Sequence, residues 1–314
     1  MTSSALWCTA VGRAEIRPGL EGEGVRVETL FTGISRGTER LVFEGRVPEE
    51  EHARMRGPAQ EGDFPFPVKY GYCAVGRVAE GDLAGQSVFA LHPHQTQFRL
   101  TEPALTPLPA DLPPERAVLA ANMETALNVL WDSGAGAGDA IVIIGAGVVG
   151  ALTGYLAAKL PGTEVTLVDI NVDRANLADS LGCAFATPDG VPRDADVVVH
   201  VSASSAGLDT AIHAAGDEAT VVEASWHGIG PTPAPLGGAF HSRRLKLISS
   251  QVGALPVSRR PRWTYARRMA KALDLLCDPT LDRLVSGETT FEDLPAQYGA
   301  ILADPATLCH RVRY

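Results

Sequence analysis

Basic charge is in short supply: 27 Lys and Arg stand against 37 Asp and Glu, for a net charge of −10 with histidine neutral. A surface of that sign repels phosphate backbones and anionic lipid, so neither nucleic acid nor a membrane is an expected partner. Cysteines number five (Cys8, Cys73, Cys183, Cys277, Cys309) and form no Cys-x-x-Cys pair. That spacing argues against a disulfide framework and suits reduced thiols in a cytoplasm. No apolar run reaches the roughly 18 residues that span a bilayer. The opening Met1-Thr-Ser-Ser-Ala-Leu-Trp7 has neither the basic nor the apolar part of a secretory signal. A cytoplasmic location is therefore expected. Repeats and low-complexity tracts are also missing.

Glycine (32) and proline (22) are plentiful, in a chain of 314 residues that has room for two cores. Up to about residue 115 the pattern is of short strands between turns. Gly24–Phe31, Gly76–Val78 and Gln86–Leu91 are β-prone, and Pro18-Gly19 and Gly57-Pro58 break the chain. Pro107, Pro109, Pro113 and Pro114 rule out a continuous helix where the first domain ends. A helix is expected from Glu115 to Trp131. After Ala140 strands and helices alternate. Ile141–Ile144, Val165–Val168, Asp196–Val201 and Ala219–Ala224 are apolar enough for central parallel strands, Leu245–Ser250 reads as the last strand, and helical stretches lie at Val149–Leu160, Val172–Leu181 and Leu208–Ala215. This is the signature of an α/β fold with a doubly wound sheet. The expected division is 116–254 for that domain and 1–115, completed by 255–314, for the other. A helix over Thr264–Leu276 and a final strand belong to the closing segment.

Gly145-Ala-Gly-Val-Val-Gly150 follows the first of these strands and opens a helix. Its first glycine allows a tight turn, its second lets backbone approach a diphosphate, and its third lets helix pack on strand. Gly145, Gly147, Val148, Val149 and Gly150 would present amides to the diphosphate at the positive end of the helix. A second strand ends in Asp169, where a carboxylate accepts hydrogen bonds from ribose hydroxyls and repels a 2′-phosphate. NAD is thereby favoured over NADP. Arg174, five residues on, is placed either at the ribose or on a solvated helix face. Trp226 and His227, in Ala224-Ser-Trp-His-Gly228, fall at the carboxyl end of a strand, where such sheets bind ligands.

The order of a Pro/Gly-rich β domain, a linking helix, a Rossmann domain and a returning tail resembles the medium-chain dehydrogenase/reductase superfamily. The resemblance rests on Phe31-Thr-Gly-Ile-Ser-Arg-Gly-Thr-Glu39, Pro67-Val-Lys-Tyr-Gly-Tyr-Cys-Ala-Val-Gly76, Glu124-Thr-Ala and the glycine fingerprint with Val168-Asp-Ile-Asn171. Within it, Gly-Ile-Ser-x-Gly-Thr-Glu resembles the branch around bacteriochlorophyllide a dehydrogenase. The resemblance implies a GroES-like domain beside the Rossmann domain, a nicotinamide cofactor, a small alcohol or ketone substrate, and a homodimer joined near Leu245–Ser250. It also implies that Arg36 lies against the diphosphate, with Gly37 before Thr38 shifting the register.

Relatives that use catalytic zinc hold it at positions that here carry Ser35, Tyr72 beside Cys73, and a residue near Ala121 or Asn122. A hydroxyl, a phenol and an aliphatic side chain do not make a tetrahedral zinc site, so no zinc is expected. Cys73, His92, His94 and Glu124 are an alternative metal set, weighed against plain polar residues. Without zinc, the substrate proton needs a side chain. Candidates are Tyr72, His94, His227, Glu124 and Ser35, with Thr38 and His92 behind them, and the sequence does not choose among them. The expected function is NAD-dependent alcohol–ketone interconversion. The alternatives are a zinc-free quinone or enone reductase, or a dinucleotide-binding protein without catalysis.

Overall fold

A computed structural model describes residues 3–314. The chain divides into two compact units, Met1–Ala121 with Met269–Tyr314, and Asn122–Arg268.

The first unit is built on two sheets. Val25–Ser35 is the long central strand of the larger one. It pairs antiparallel with Ala74–Val78, Gln97–Leu100 and Cys309–Arg313, and Val285–Thr290 lies parallel to the last of these. Ser87–Ala90 and Thr106–Pro107 extend the other side. Val27, Ala74, Val78, Val88, Ala90 and Phe98 face inward and form its core. The smaller sheet runs Arg13–Pro18, Ser4–Ala10, Val68–Lys69, Glu61–Gly62. Helices Arg36–Phe43 and Leu294–Ala303 also belong to the unit; neither is evident in the sequence pattern.

The second unit is a six-stranded, wholly parallel sheet. Its order is Ala184–Ala186, Glu164–Val168, Ala140–Ile144, Ala195–His200, Ala215–Glu223, Lys246–Ser249. In chain order that is 3-2-1-4-5-6, so the winding reverses between Ala140–Ile144 and Ala195–His200, the crevice where doubly wound sheets bind ligands. The runs of Ile and Val are continuous because both faces are covered: Ile141, Val142, Ile143, Ile144, Val198 and Val199 are all buried. Helix Ser205–Ala214 starts where the Ser204 hydroxyl accepts from Gly207 N–H, and sets Leu208, Ala211 and Ile212 on the sheet.

Two expected helices are interrupted. The stretch Glu115–Trp131 is helical at Pro114–Ala117 and again at Ala120–Ser133. Between them Leu119 N–H turns back to the Arg116 carbonyl, and Arg116 is held by both carboxylate oxygens of Asp282 at 2.7 and 2.8 Å. Because Val118 and Leu119 stay buried through this turn, the apolar pattern continues across it and conceals it. Val172–Leu181 opens as a 3-10 turn, Val172–Arg174, capped by Asn171, before helix Ala175–Ser180. None of the five cysteines is in a disulfide, and among the described residues no helix is long and apolar enough to cross a membrane.

Candidate active site

In the parallel-sheet unit the glycine turn has the form its spacing predicts. Gly145 has φ +110°, and its N–H donates to the Val168 carbonyl at 2.8 Å. A Cβ on Gly150 would stand 1.8 Å from the Gly145 carbonyl oxygen, so only hydrogen fits. Gly147 caps helix Val148–Ala157, whose first turn carries no acidic side chain. The first-turn amides of Val148, Val149 and Gly150 have no partner within the helix, as at any helix start. Asp169 ties the turn to the second strand: Oδ2 accepts Ala146 N–H at 2.7 Å and Oδ1 accepts Asn171 N–H at 2.9 Å. An ionised carboxylate offers about four lone-pair directions, so two remain. Ile170 and Val172 next to it are exposed apolar side chains. Arg174 ends the 3-10 turn, half-buried.

At the carboxyl ends of Ala195–His200 and Ala215–Glu223 the structure assembles a group that sequence reading caught only in part. His200 and Glu223 are register partners on adjacent strands. His200 Nδ1 lies 2.5 Å from Glu223 Oε2, and His200 Nε2 lies 2.7 Å from Ser202 Oγ. His227 curls back so that its Nε2 is 3.4 Å from the same Oε2. Burial pushes the Glu223 carboxyl upward, but hydrogen bonds and charge from His200, with Ser225, outweigh it and leave it below its usual value. Trp226, beside His227, is half-buried. Glu124 is committed elsewhere: it accepts from Arg268 Nε at 3.0 Å, and Arg268 also donates to Asn128 Oδ1 and to the Val252 carbonyl. Burial nonetheless raises the Glu124 carboxyl above its usual range, with Arg268 working against the rise.

In the β-sheet unit Ser35 joins the long strand to helix Arg36–Phe43. Its N–H is capped by Glu39 Oε1 at 2.7 Å. The Tyr72 hydroxyl donates to Ser35 Oγ at 2.6 Å and also bonds to the Thr38 hydroxyl. Burial holds the Tyr72 phenol well above its usual value, with Ser35 and Thr38 pulling the other way. His94 is fully occupied: Nε2–H donates to Glu39 Oε2 at 2.9 Å, and Nδ1 accepts from the Thr32 hydroxyl at 2.6 Å. Tyr298 OH donates to that same Glu39 oxygen at 2.6 Å. With three donors, Glu39 is a fully buried carboxylate whose hydrogen bonds are met. His92 stacks on Phe98 at 4.0 Å, its Nδ1 3.0 Å from the Pro93 carbonyl, and burial pushes its pKa down to about 3. Arg36 Nε donates to the Leu302 carbonyl. Within this unit Cys73, His92 and His94 do not bring their ligand atoms together. Among the described residues the group of three or more His, Cys, Asp or Glu side chains whose ligand atoms come together is His200, Glu223 and His227.

No family model matches the chain. It is 28% identical over 200 residues to L-threonine 3-dehydrogenase of Ruegeria pomeroyi, covering 64% of this chain and 53% of that protein. The match thus spans about half of that relative's length. It is 22% identical over 307 residues to D-guloside 3-dehydrogenase of Escherichia coli K12, 87% of each chain. Superposed on 2R,3R-butanediol dehydrogenase of Bacillus subtilis, it gives a TM-score of 0.78 over the full length of both chains at 18% identity. The chain has the alcohol dehydrogenase fold.

Within this fold the residues that sequence reading missed are Glu39, Thr32, Tyr298, His200 and Glu223. The last two were accessible: each is a polar residue at the end of an apolar strand, in Val197-Val-Val-His200 and Val221-Val-Glu223. The Glu39 network left no such trace, because Tyr298 and Glu39 lie 259 positions apart.

Proposed function

We propose that the protein is an NAD(H)-dependent oxidoreductase that interconverts a secondary alcohol and a ketone without catalytic zinc. The observation that carries this reading is the glycine turn closed by Asp169 at the switch point of a 3-2-1-4-5-6 sheet. First-turn amides of helix Val148–Ala157 would hold the diphosphate. The two lone-pair directions left on Asp169 suit the ribose hydroxyls, and exposed Ile170 and Val172 offer the adenine an apolar seat. NAD rather than NADP follows from the carboxylate. The cofactor supplies hydride transfer; the chain must bind it and move one proton.

The proton is assigned to Tyr72. Two other candidates are engaged in ways that leave less freedom: His94 through both ring nitrogens, Glu124 in an ion pair. The Tyr72–Ser35–Thr38 hydroxyls form a donor chain, and Ser35 and Tyr72 stand where the resemblance places ligands of zinc-using relatives. That donor set does not fit zinc. The ion needs deprotonated thiolate, neutral imidazole or carboxylate at about 2.0–2.3 Å, whereas the Tyr72 phenol holds its proton toward Ser35. Cys73 alone would be one soft ligand. A quinone or enone reductase of the same fold is the second reading, and Asp169 disfavours it because those enzymes prefer the 2′-phosphate. A cytoplasmic location and a homodimer paired along the edge strand Lys246–Ser249 belong to the same proposal.

The Asp169→Ser variant tests the cofactor assignment. It should bind NADH more weakly by about 1–3 kcal/mol, the cost of losing charge-assisted hydrogen bonds, and should gain relative affinity for NADPH. Calorimetric titration of both dinucleotides into both proteins reads this. Unchanged NADH affinity in the variant would remove Asp169 from the site.

A further inference from the structure

The group at the strand ends has a use that hydride transfer does not require. Two imidazoles and one carboxylate turn their ligand atoms toward one another, all within 4.8 Å. His227 Nε2 is buried and has no hydrogen-bond partner, an arrangement that costs free energy unless something fills it. Its 3.4 Å separation from Glu223 Oε2 is the spacing of two ligands about 2.0–2.2 Å from one tetrahedral ion. Two of the three non-ligating atoms are already fixed. His200 Nε2 is bonded to Ser202 Oγ at 2.7 Å, and Glu223 Oε1 accepts Ser225 N–H at 2.8 Å. Partners of this kind orient the ligands of metal sites. His200 Nδ1 and Glu223 Oε2 are in hydrogen-bond contact at 2.5 Å, and an ion taking the place of the bridging proton would open that distance by roughly 0.9 Å.

We propose that the parallel-sheet unit holds one divalent transition-metal ion through His200 Nδ1, Glu223 Oε2 and His227 Nε2. Nitrogen-rich ligation selects zinc, cobalt or nickel over magnesium and calcium, which take oxygen shells. Three protein ligands leave a fourth position for water. The ion would pin the Ala224–Gly228 segment to the ends of two strands. The inference does not depend on the dinucleotide reading, and none of its residues stands at the Ser35 or Tyr72 positions.

The test uses untagged, full-length protein freed of metal by chelator dialysis. Cobalt(II) is titrated in while visible d–d absorption is followed; zinc is then added to displace it, and the thermal midpoint is recorded in each state. The expected result is one ion per chain, ligand-field bands that zinc abolishes, and a raised midpoint. His227→Ala should weaken binding by more than about 100-fold, since even outer-shell losses cost 10–100-fold. Cys73→Ser should leave the stoichiometry and bands unchanged. Absent bands in the wild type, equal binding by His227→Ala, or bands lost in Cys73→Ser would each overturn the proposal.

Discussion

Tyr72→Phe should turn over ketone roughly 10²–10⁴-fold more slowly than the wild type while binding NADH equally well. The magnitude is what a positioned general acid contributes. The substitution deletes one oxygen, and with it the bonds to Ser35 Oγ and the Thr38 hydroxyl. None of the residues assigned to the dinucleotide is touched. Because burial holds the Tyr72 phenol above its usual value, it is protonated at neutral pH and ready to donate. The sign of the pH dependence follows. Ketone reduction should be flat through neutrality, since the acid form is saturated. Alcohol oxidation needs the ionised phenol and should keep rising into the alkaline range. Single-turnover rates against pH, with NADH titration alongside, provide the check. A near-normal rate in Tyr72→Phe would move the role to His227.

The largest effect on stability is expected at Arg268. Its side chain is 2% exposed and bridges Glu124, Asn128 and the Val252 carbonyl. Arg268→Leu removes the cation and leaves a buried carboxylate uncompensated, a change that typically costs about 3–5 kcal/mol. The thermal midpoint should fall by roughly 6–15 °C. Burial already raises the Glu124 carboxyl despite Arg268, so part of the cost will appear as Glu124 taking up a proton. The double variant Arg268→Leu, Glu124→Leu should recover much of the loss, because an apolar pair of similar volume has no charge to desolvate. Scanning calorimetry of the three proteins decides it. A double variant no better than the single one would mean that the ion pair is not what Arg268 contributes.

The parallel sheet was legible because its signal is local. Ile141–Ile144 and Val197–Val199 are β-branched runs with no polar alternation, and the glycine turn needs only six consecutive residues. Helix Arg36–Phe43 was illegible for the opposite reason. It begins Arg-Gly-Thr, a poor helix start, and it is set by Glu39 reaching back to the Ser35 N–H. The buried role of His94 depends on Thr32, Glu39 and Tyr298, brought from three separate segments. A histidine bonded through both ring nitrogens looks, in sequence, the same as one free to exchange protons. The broken helix near Val118 shows a related limit. Apolar periodicity reports burial, and burial persists through a tight turn.

Hydride transfer itself can be followed with NADH deuterated at C4, supplied to chelator-treated protein with a panel of ketones and read by mass spectrometry of the alcohols formed. Deuterium should appear on the carbinol carbon of at least one product, at a rate that added zinc does not change. Transfer that vanishes on chelation and returns with zinc, in His227→Ala as in the wild type, would restore a metal-assisted mechanism. No transfer to any ketone would leave a protein that binds the dinucleotide without using it.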